Sequence, residues 1–328
     1  MRPTFLPRLV NGELFDPIVY IRILNQRQAL MLDCGRFFDL SNHELMLVEH
    51  LFISHAHMDH FMGFDHVLRV ILHRQTPLNV YGPPEISRHV LAKLGSYTWN
   101  LTRDYALEIR IHEVAQETIA TTLARACDGF TPMRTDMRAR SGDALARTLW
   151  FTVDAVELDH KTPCLGFVVK EAYHINIRGE MLTRLGYISG PWLGMLKSAI
   201  RSERPMDIPV LTLQGTRLIE SERLVRELVL ISPGQKITYL TDIRYSPANL
   251  ERLFPLAKDT DILFIETFYP DDMREEAYRK GHLTARQAGE IARELGAKRV
   301  QPMHISPRYH DRREDVLAEL RQLISGTK

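Results

Sequence analysis

Short apolar runs separated by polar turns open the chain. Ile18–Ile23 and Ala29–Asp33 read as strands of a meander joined by the polar turn Asn25–Gln28. Glu49–Ile53 is a further buried strand, and it stops abruptly at Ser54. From Phe61 to His73 the period changes. Phe64, Val67, Leu68 and Ile71 fall on one helical face. Leu78–Tyr81 predicts a strand closed by Gly82-Pro83-Pro84, Glu85–Leu94 a helix and Leu107–Val114 a strand. Ala115–Arg147, with its scattered Gly, Pro and Arg, reads as an irregular insertion. Strands resume at Thr148–Leu158 and Leu165–Lys170. Glu171–Pro209 follows, polar and punctuated, with short helices at Glu180–Leu185 and Trp192–Arg201.

The last third alternates. Strands Ile237–Leu240, Ile262–Glu266 and Arg299–Met303 interleave with helices Pro247–Ala257, Thr284–Leu295 and Asp315–Leu323. Strands first and β/α alternation later imply sheets covered by helices.

Composition narrows the function classes. The 328 residues are 45% hydrophobic and 25% charged, which excludes disorder and low-complexity scaffolds. The net charge of +1 excludes a uniformly basic nucleic-acid binder, although most cations are arginine and a local basic patch remains open. No run approaches the ~20 apolar residues of a membrane span, and Met1–Val10 lacks the features of a signal peptide. The three cysteines form no CxxC pair, which fits a reducing cytoplasm and argues against a disulfide framework.

The candidate chemistry lies in Ser54-His55-Ala56-His57-Met58-Asp59-His60, directly after a buried strand. His55 and His57 alternate along extended chain and point the same way, whereas Asp59 and His60 fall on the turn into the next helix. The pattern suits two adjacent metal ions. Imidazole and carboxylate without thiolate favour zinc, with manganese or iron as other fits. His160, Asp242 and His304 each stand where an apolar strand ends, as loop-borne ligands on a rigid sheet should.

HxHxDH resembles the signature of the metallo-β-lactamase fold hydrolases, and the flanking residues resemble their ribonuclease Z branch, the endonucleases that remove 3′ trailers from precursor tRNA. The segments that carry this are Leu32-Asp33-Cys34-Gly35, Pro233–Tyr239, Gly281-His282-Leu283-Thr284-Ala285 and His304-Ile305-Ser306-Pro307-Arg308-Tyr309. Ser189-Gly190-Pro191-Trp192 resembles the tip of the family's protruding arm, which grips tRNA.

The resemblance implies an α/β, four-layer αβ/βα sandwich with two mixed sheets flanked by helices. It implies a single hydrolase domain over residues 1–328, with an arm at about 171–209 and the irregular insertion at about 115–147. His55, His57 and His160 go to one metal, Asp59, His60 and His304 to a second, with Asp242 bridging. A hydroxide between the ions would attack phosphorus and leave a 3′-hydroxyl on the retained RNA. Asp59 is also a candidate base. His282 is a candidate acid or charge stabiliser, oriented by Glu266. Gly190, Pro191, Lys197, Ser306 and Arg308 are candidate RNA contacts. A cytoplasmic homodimer acting on precursor tRNA is expected.

The sequence departs from the family at the turn after Gly35, which continues Arg36-Phe37-Phe38 instead of Glu-Gly. Met58 stands where glycine is usual, and the N-terminal region has no PxKxRN-like loop, the element used at the RNA cleavage site. A small phosphodiester such as a cyclic nucleotide, or a sulfate ester, is the alternative substrate. A non-catalytic, metal-stabilised binding module is the third reading, opposed by the filled ligand positions.

Overall fold

The computed structural model describes residues 4–24, 26–140 and 144–324. Asn25 of the expected turn, and Gly142 of the expected insertion, lie outside these residues. The chain divides into two compact units. One comprises residues 5–145, 153–169 and 236–328; the other comprises 1–4, 146–152 and 170–235.

The larger unit carries two mixed sheets. The first runs in chain order through Phe5–Leu9, Val19–Ile23, Ala29–Leu32, Val48–Phe52, Leu78–Gly82, Glu108–Val114, Thr118–Arg125 and Pro132–Ala139. The strands from Ala29–Leu32 to Glu108–Val114 pair in parallel, and the flanking pairs are antiparallel. In the second sheet Arg299–Met303, Ile262–Glu266 and Lys236–Leu240 are parallel neighbours, followed by Pro163–Lys170 and Thr152–Asp159. The sheets face one another through Phe52 and Phe167, whose rings are 5.5 Å apart.

Helices cover the outer faces. Phe64, Val67, Leu68 and Ile71 are all buried against the first sheet, as their spacing demands. Pro247–Ala257, Ala285–Glu294 and Arg313–Ile324 enclose the other core. Pro247 at the first helical position and a Ser246 hydroxyl accepting from the Asn249 amide start the first of these helices. Among the described residues, no helix is long and apolar enough to cross a membrane.

Three expectations change. The helix expected over Phe61–His73 is two pieces, Met58–Phe61 and Phe64–Ile71. Gly63 separates them because its amide donates to the Cys34 carbonyl, and a Cβ there would lie 2.2 Å from the Gly35 oxygen. Second, Ala115–Arg147 is not irregular: Thr118–Arg125 and Pro132–Ala139 extend the first sheet. Pro132–Ala139 is exposed along most of its length and shows no alternation, so the usual strand signal is absent. Arg140 anchors it by donating to the Ala115 and Ala155 carbonyls.

Third, the segment expected as an arm over about 171–209 lies in the smaller unit, which continues beyond it. The smaller unit reaches Gln235 because Tyr173–Ile177 pairs antiparallel with Val229–Pro233. Within it, the hairpin of Asp207–Thr212 and Gly215–Glu220 and the helix Ser221–Leu228 pack on Trp192 and Leu196. The apolar residues of helix Trp192–Ser202 therefore serve packing within their own unit.

Candidate metal centre

The expected ligands stand on the segments that follow strands, His55, His57, His160, Asp242 and His304 in loops and Asp59 and His60 in the short helix Met58–Phe61. Val48–Phe52 delivers His55 to His60; Thr152–Asp159 delivers His160; Lys236–Leu240 delivers Asp242; Arg299–Met303 delivers His304. Asp242 and His304 have left-handed backbones, with φ of 51° and 55°. Such strain in non-glycine residues persists where the surroundings fix it, often at functional sites.

Three groups of potential ligand atoms form, each within 4.8 Å: His55, His57, His160 and Asp242; Asp59, His60 and His304; and Asp242, Glu266, His282 and His304. Asp242 Oδ2 lies 3.2 Å from His160 Nε2, 3.5 Å from His55 Nε2 and 3.5 Å from His60 Nε2. Its Oδ1 meets His304 Nδ1 at 2.8 Å, while His304 Nε2 lies 3.3 Å from Asp59. Asp242 thus belongs to two groups and meets two residues of the remaining one, His60 and His304.

A buried shell orients these rings. His60 Nδ1 donates to Asp33 Oδ2 at 2.8 Å, and Asp33 also accepts from the Ser54 amide, the Ser54 hydroxyl and Tyr239 Oη. His160 Nδ1 donates to the Gly281 carbonyl at 2.6 Å. Each bond directs the opposite nitrogen, Nε2, toward the ligand cluster. His60 Nε2 is fully buried and has no hydrogen-bond partner. An orphaned imidazole nitrogen facing two carboxylates is what a cation would satisfy, so the residues present fit a metal.

Electrostatics agree. Burial pushes the His55 pKa down to about 2, reinforced by the His60 charge. Burial opposes charge on His304 as well, but Asp242 outweighs it and raises that pKa to about 9. Asp242 is held well below the usual carboxylate range: burial opposes ionisation, and the His304 and His60 charges overcome it. Protons here occupy positions for which a cation competes.

Glu266 and His282 stand together beside this cluster. His282 Nδ1 lies 2.9 Å from Glu266 Oε2. Glu266 is fully buried, and its Oε1 accepts from the Ile243 amide at 2.8 Å and the Leu283 amide at 3.3 Å. Burial opposes the His282 charge, but Glu266 prevails and raises its pKa. Phe268 stacks on the His282 ring at 3.9 Å and 10°.

Of the candidate RNA contacts, Arg308 is exposed and Ser306 is buried, its amide donating to the Phe268 carbonyl at 3.1 Å. Gly190, Pro191 and Lys197 belong to the other unit. Pro191 caps the helix Trp192–Ser202, and Lys197 is half-buried, with its pKa lowered by burial and Arg201. Sequence reasoning missed the supporting roles of Asp33, Tyr239 and Phe268. For Asp33 the Asp-Cys-Gly turn was the available signal; Tyr239 and Phe268 look like ordinary apolar positions.

Residues 206–305 match the model of the beta-lactamase superfamily domain. Curated relatives include the ribonuclease Z of Deinococcus radiodurans, 34% identical over 86% of this chain and 83% of that one. That of Brevibacillus brevis is 28% identical over 94% and 86%. Among solved structures, the short form of human tRNase Z superposes with a TM-score of 0.53 at 18% identity, covering 93% of each chain. A metallo-β-lactamase fold protein of Bacillus subtilis gives 0.54 at 14%, covering 97% of this chain and 92% of that one. The fold is the metallo-β-lactamase fold, and the chain belongs to the ribonuclease Z family.

Proposed function

We propose that this protein is a metal-dependent phosphodiesterase that cuts the 3′ trailer from precursor tRNA. The observation that carries this is the convergence of His55, His57, His160, Asp242, Asp59, His60 and His304, in a chain of the ribonuclease Z family. We infer two divalent ions, with zinc favoured by the nitrogen and oxygen donors and manganese or iron as other fits. His55, His57 and His160 would hold one, Asp59, His60 and His304 the other, and Asp242 both. Divalent cations supply Lewis-acid charge to a phosphoryl group and acidify water.

The remaining work belongs to the chain. Glu266 accepts from His282 Nδ1, which fixes the ring and leaves Nε2 to act on substrate. His282 gives its proton to the leaving 3′-oxygen, and Glu266, which raises the pKa of the ring, favours the protonated form that this step needs. Phe268 limits rotation of the ring. We assign to Asp59, half-exposed and kept ionised by His304 and His60, the proton lost by the attacking water. Arg308 and Ser306, and in the other unit Gly190, Pro191 and Lys197, are assigned to RNA. A homodimer in the cytoplasm completes the reading.

The test incubates metal-loaded protein with precursor tRNA carrying a trailer and, in parallel, with a generic phosphodiester ester; His57→Ala is the control. Cleavage at the trailer junction, absent in the control, is expected. Turnover of the ester alone would overturn the tRNA assignment and move the substrate to a small phosphodiester.

A further inference from the structure

The turn at which this chain departs from its family is built as a surface. Phe38 is 69% exposed, and the Arg36 guanidinium lies 4.4 Å from its ring centroid. Among the described residues, that guanidinium has no carboxylate partner. Two large apolar side chains of the adjoining segment are exposed as well, Met58 at 75% and Met62 at 42%, whereas Phe61 between them is buried. Met58 lies between the candidate ligands His57 and Asp59 in the chain.

The turn does not float. The Cys34 amide donates to the His60 carbonyl, and the Gly63 amide to the Cys34 carbonyl, both at 2.8 Å. A Cβ at Gly35 would lie 1.9 Å from the Asp59 oxygen, so the two backbones are in contact. Asp16 accepts from the Arg36 amide and Asn11 donates to the Arg36 carbonyl, each at 2.7 Å. Phe37 packs inward, its ring 5.0 Å from His66. An exposed aromatic ring and a free cation are thereby fixed to the segment that carries four candidate ligands.

We propose that Phe38 and Arg36, with Met58 and Met62 beside them, form a stacking platform for an unpaired base flanking the scissile phosphate. This rests on the ribonuclease reading above. An exposed ring suits any base face, and a guanidinium beside it suits the adjoining phosphate.

The experiment uses precursor tRNA with 2-aminopurine on either side of the junction. Stacking quenches this fluorophore. In the metal-loaded wild type, quenching is expected for one of the two substrates. Phe38→Ala removes it, Phe38→Trp restores it, and Arg36→Ala weakens it. The KM for precursor tRNA rises about 5- to 150-fold in Phe38→Ala, the range that loss of one base stack removes. That loss exceeds any loss on the generic ester at least tenfold. Wild-type cleavage at the junction with unaltered quenching and KM in Phe38→Ala overturns the platform alone. Equal losses on RNA and ester also overturn it, since the turn would then only support the ligand segment. A wild type that cleaves no precursor tRNA takes down both readings.

Discussion

Asp33 in the larger unit and Glu171 in the smaller are both buried carboxylates that accept from a histidine Nδ1, at 2.8 Å from His60 and 3.2 Å from His174. Each has further donors. Asp33 takes the Ser54 amide and hydroxyl and Tyr239 Oη. Glu171 takes the Thr4 hydroxyl, the Gln235 amide and Arg201, whose guanidinium lies over Trp150 and Tyr173. What differs is the charge balance and what lies beyond the histidine. Glu171 has a buried arginine as counter-ion, so its charge is balanced within the cluster, although Arg201 Nε has no hydrogen-bond partner among the described residues. Beyond His60 lie Asp59 and Asp242, so that cluster has surplus acceptors and an orphaned nitrogen. A buried carboxylate–histidine pair marks a metal site when the far side of the ring is left unsatisfied, and a structural anchor when an internal cation completes it.

The largest effects test the open cluster. Asp242→Ala removes a carboxylate shared by two ligand groups. It is expected to abolish turnover and metal retention, with circular dichroism unchanged. Full activity in this variant would sink the dinuclear assignment. His282→Ala should lower kcat about 10²- to 10⁴-fold, the usual range for a general acid or base, while bound metal measured by atomic absorption stays at the wild-type level. Loss of metal together with kcat would make His282 a ligand instead.

A smaller effect separates the two carboxylates directly. Asp33→Asn keeps the shape but weakens the hold on His60, and metal affinity should fall about 10- to 100-fold in a competition titration with a chelator. Glu171→Ala strands a buried Arg201 and should destabilise the smaller unit by about 3–5 kcal/mol in chemical denaturation, with metal affinity unaltered. If Glu171→Ala instead weakened metal as much as Asp33→Asn does, the distinction drawn between the clusters would fail.

The same contrast explains what could be read from the chain. The proposed metal ligation requires particular side chains on rigid strand ends, and chemistry that specific would leave a mark such as the run His55 to His60, then His160, Asp242 and His304 after strands. The last three β/α repeats were legible for a related reason. Strand Ile262–Glu266 is bounded as expected because a buried parallel strand is a continuous apolar run; helix Pro247–Ala257 is bounded by its Ser246 cap and Pro247; Arg299–Met303, mostly half-buried, is bounded as expected through its place in the alternation. The smaller unit gives no such signal. Gly215–Glu220 is largely exposed, so no alternation betrays the hairpin, and Val229–Pro233 declares itself only through its distant partner Tyr173–Ile177. Phe268 was invisible because a ring stacked on a histidine has the same sequence signature as one buried in a core.

The smallest effect concerns two histidines away from the ligand cluster, His50 and His112. His50 and His112 flank Tyr81 in a stack, with ring centroids 6.0 and 4.4 Å from it. Burial pushes both pKa values down to about 4, helped by Arg74 at His50 and by His50 and nearby arginines at His112. Burial, helped by neighbouring cations, therefore neutralises these histidines, and the raised pKa of His60 is the work of Asp242 and Asp33 against that same burial. The sign follows from which state binds the proton first. An unfolded chain protonates these histidines near pH 6.5, and the folded one only near 4. Their contribution to stability is complete above pH 6.5 and is lost as pH falls toward 4. His112→Gln should flatten the decline of Tm across that window relative to wild type, with little change at pH 8. An equally steep decline in the variant would show that His112 is already charged in the fold, and would remove burial as the baseline against which the carboxylates act.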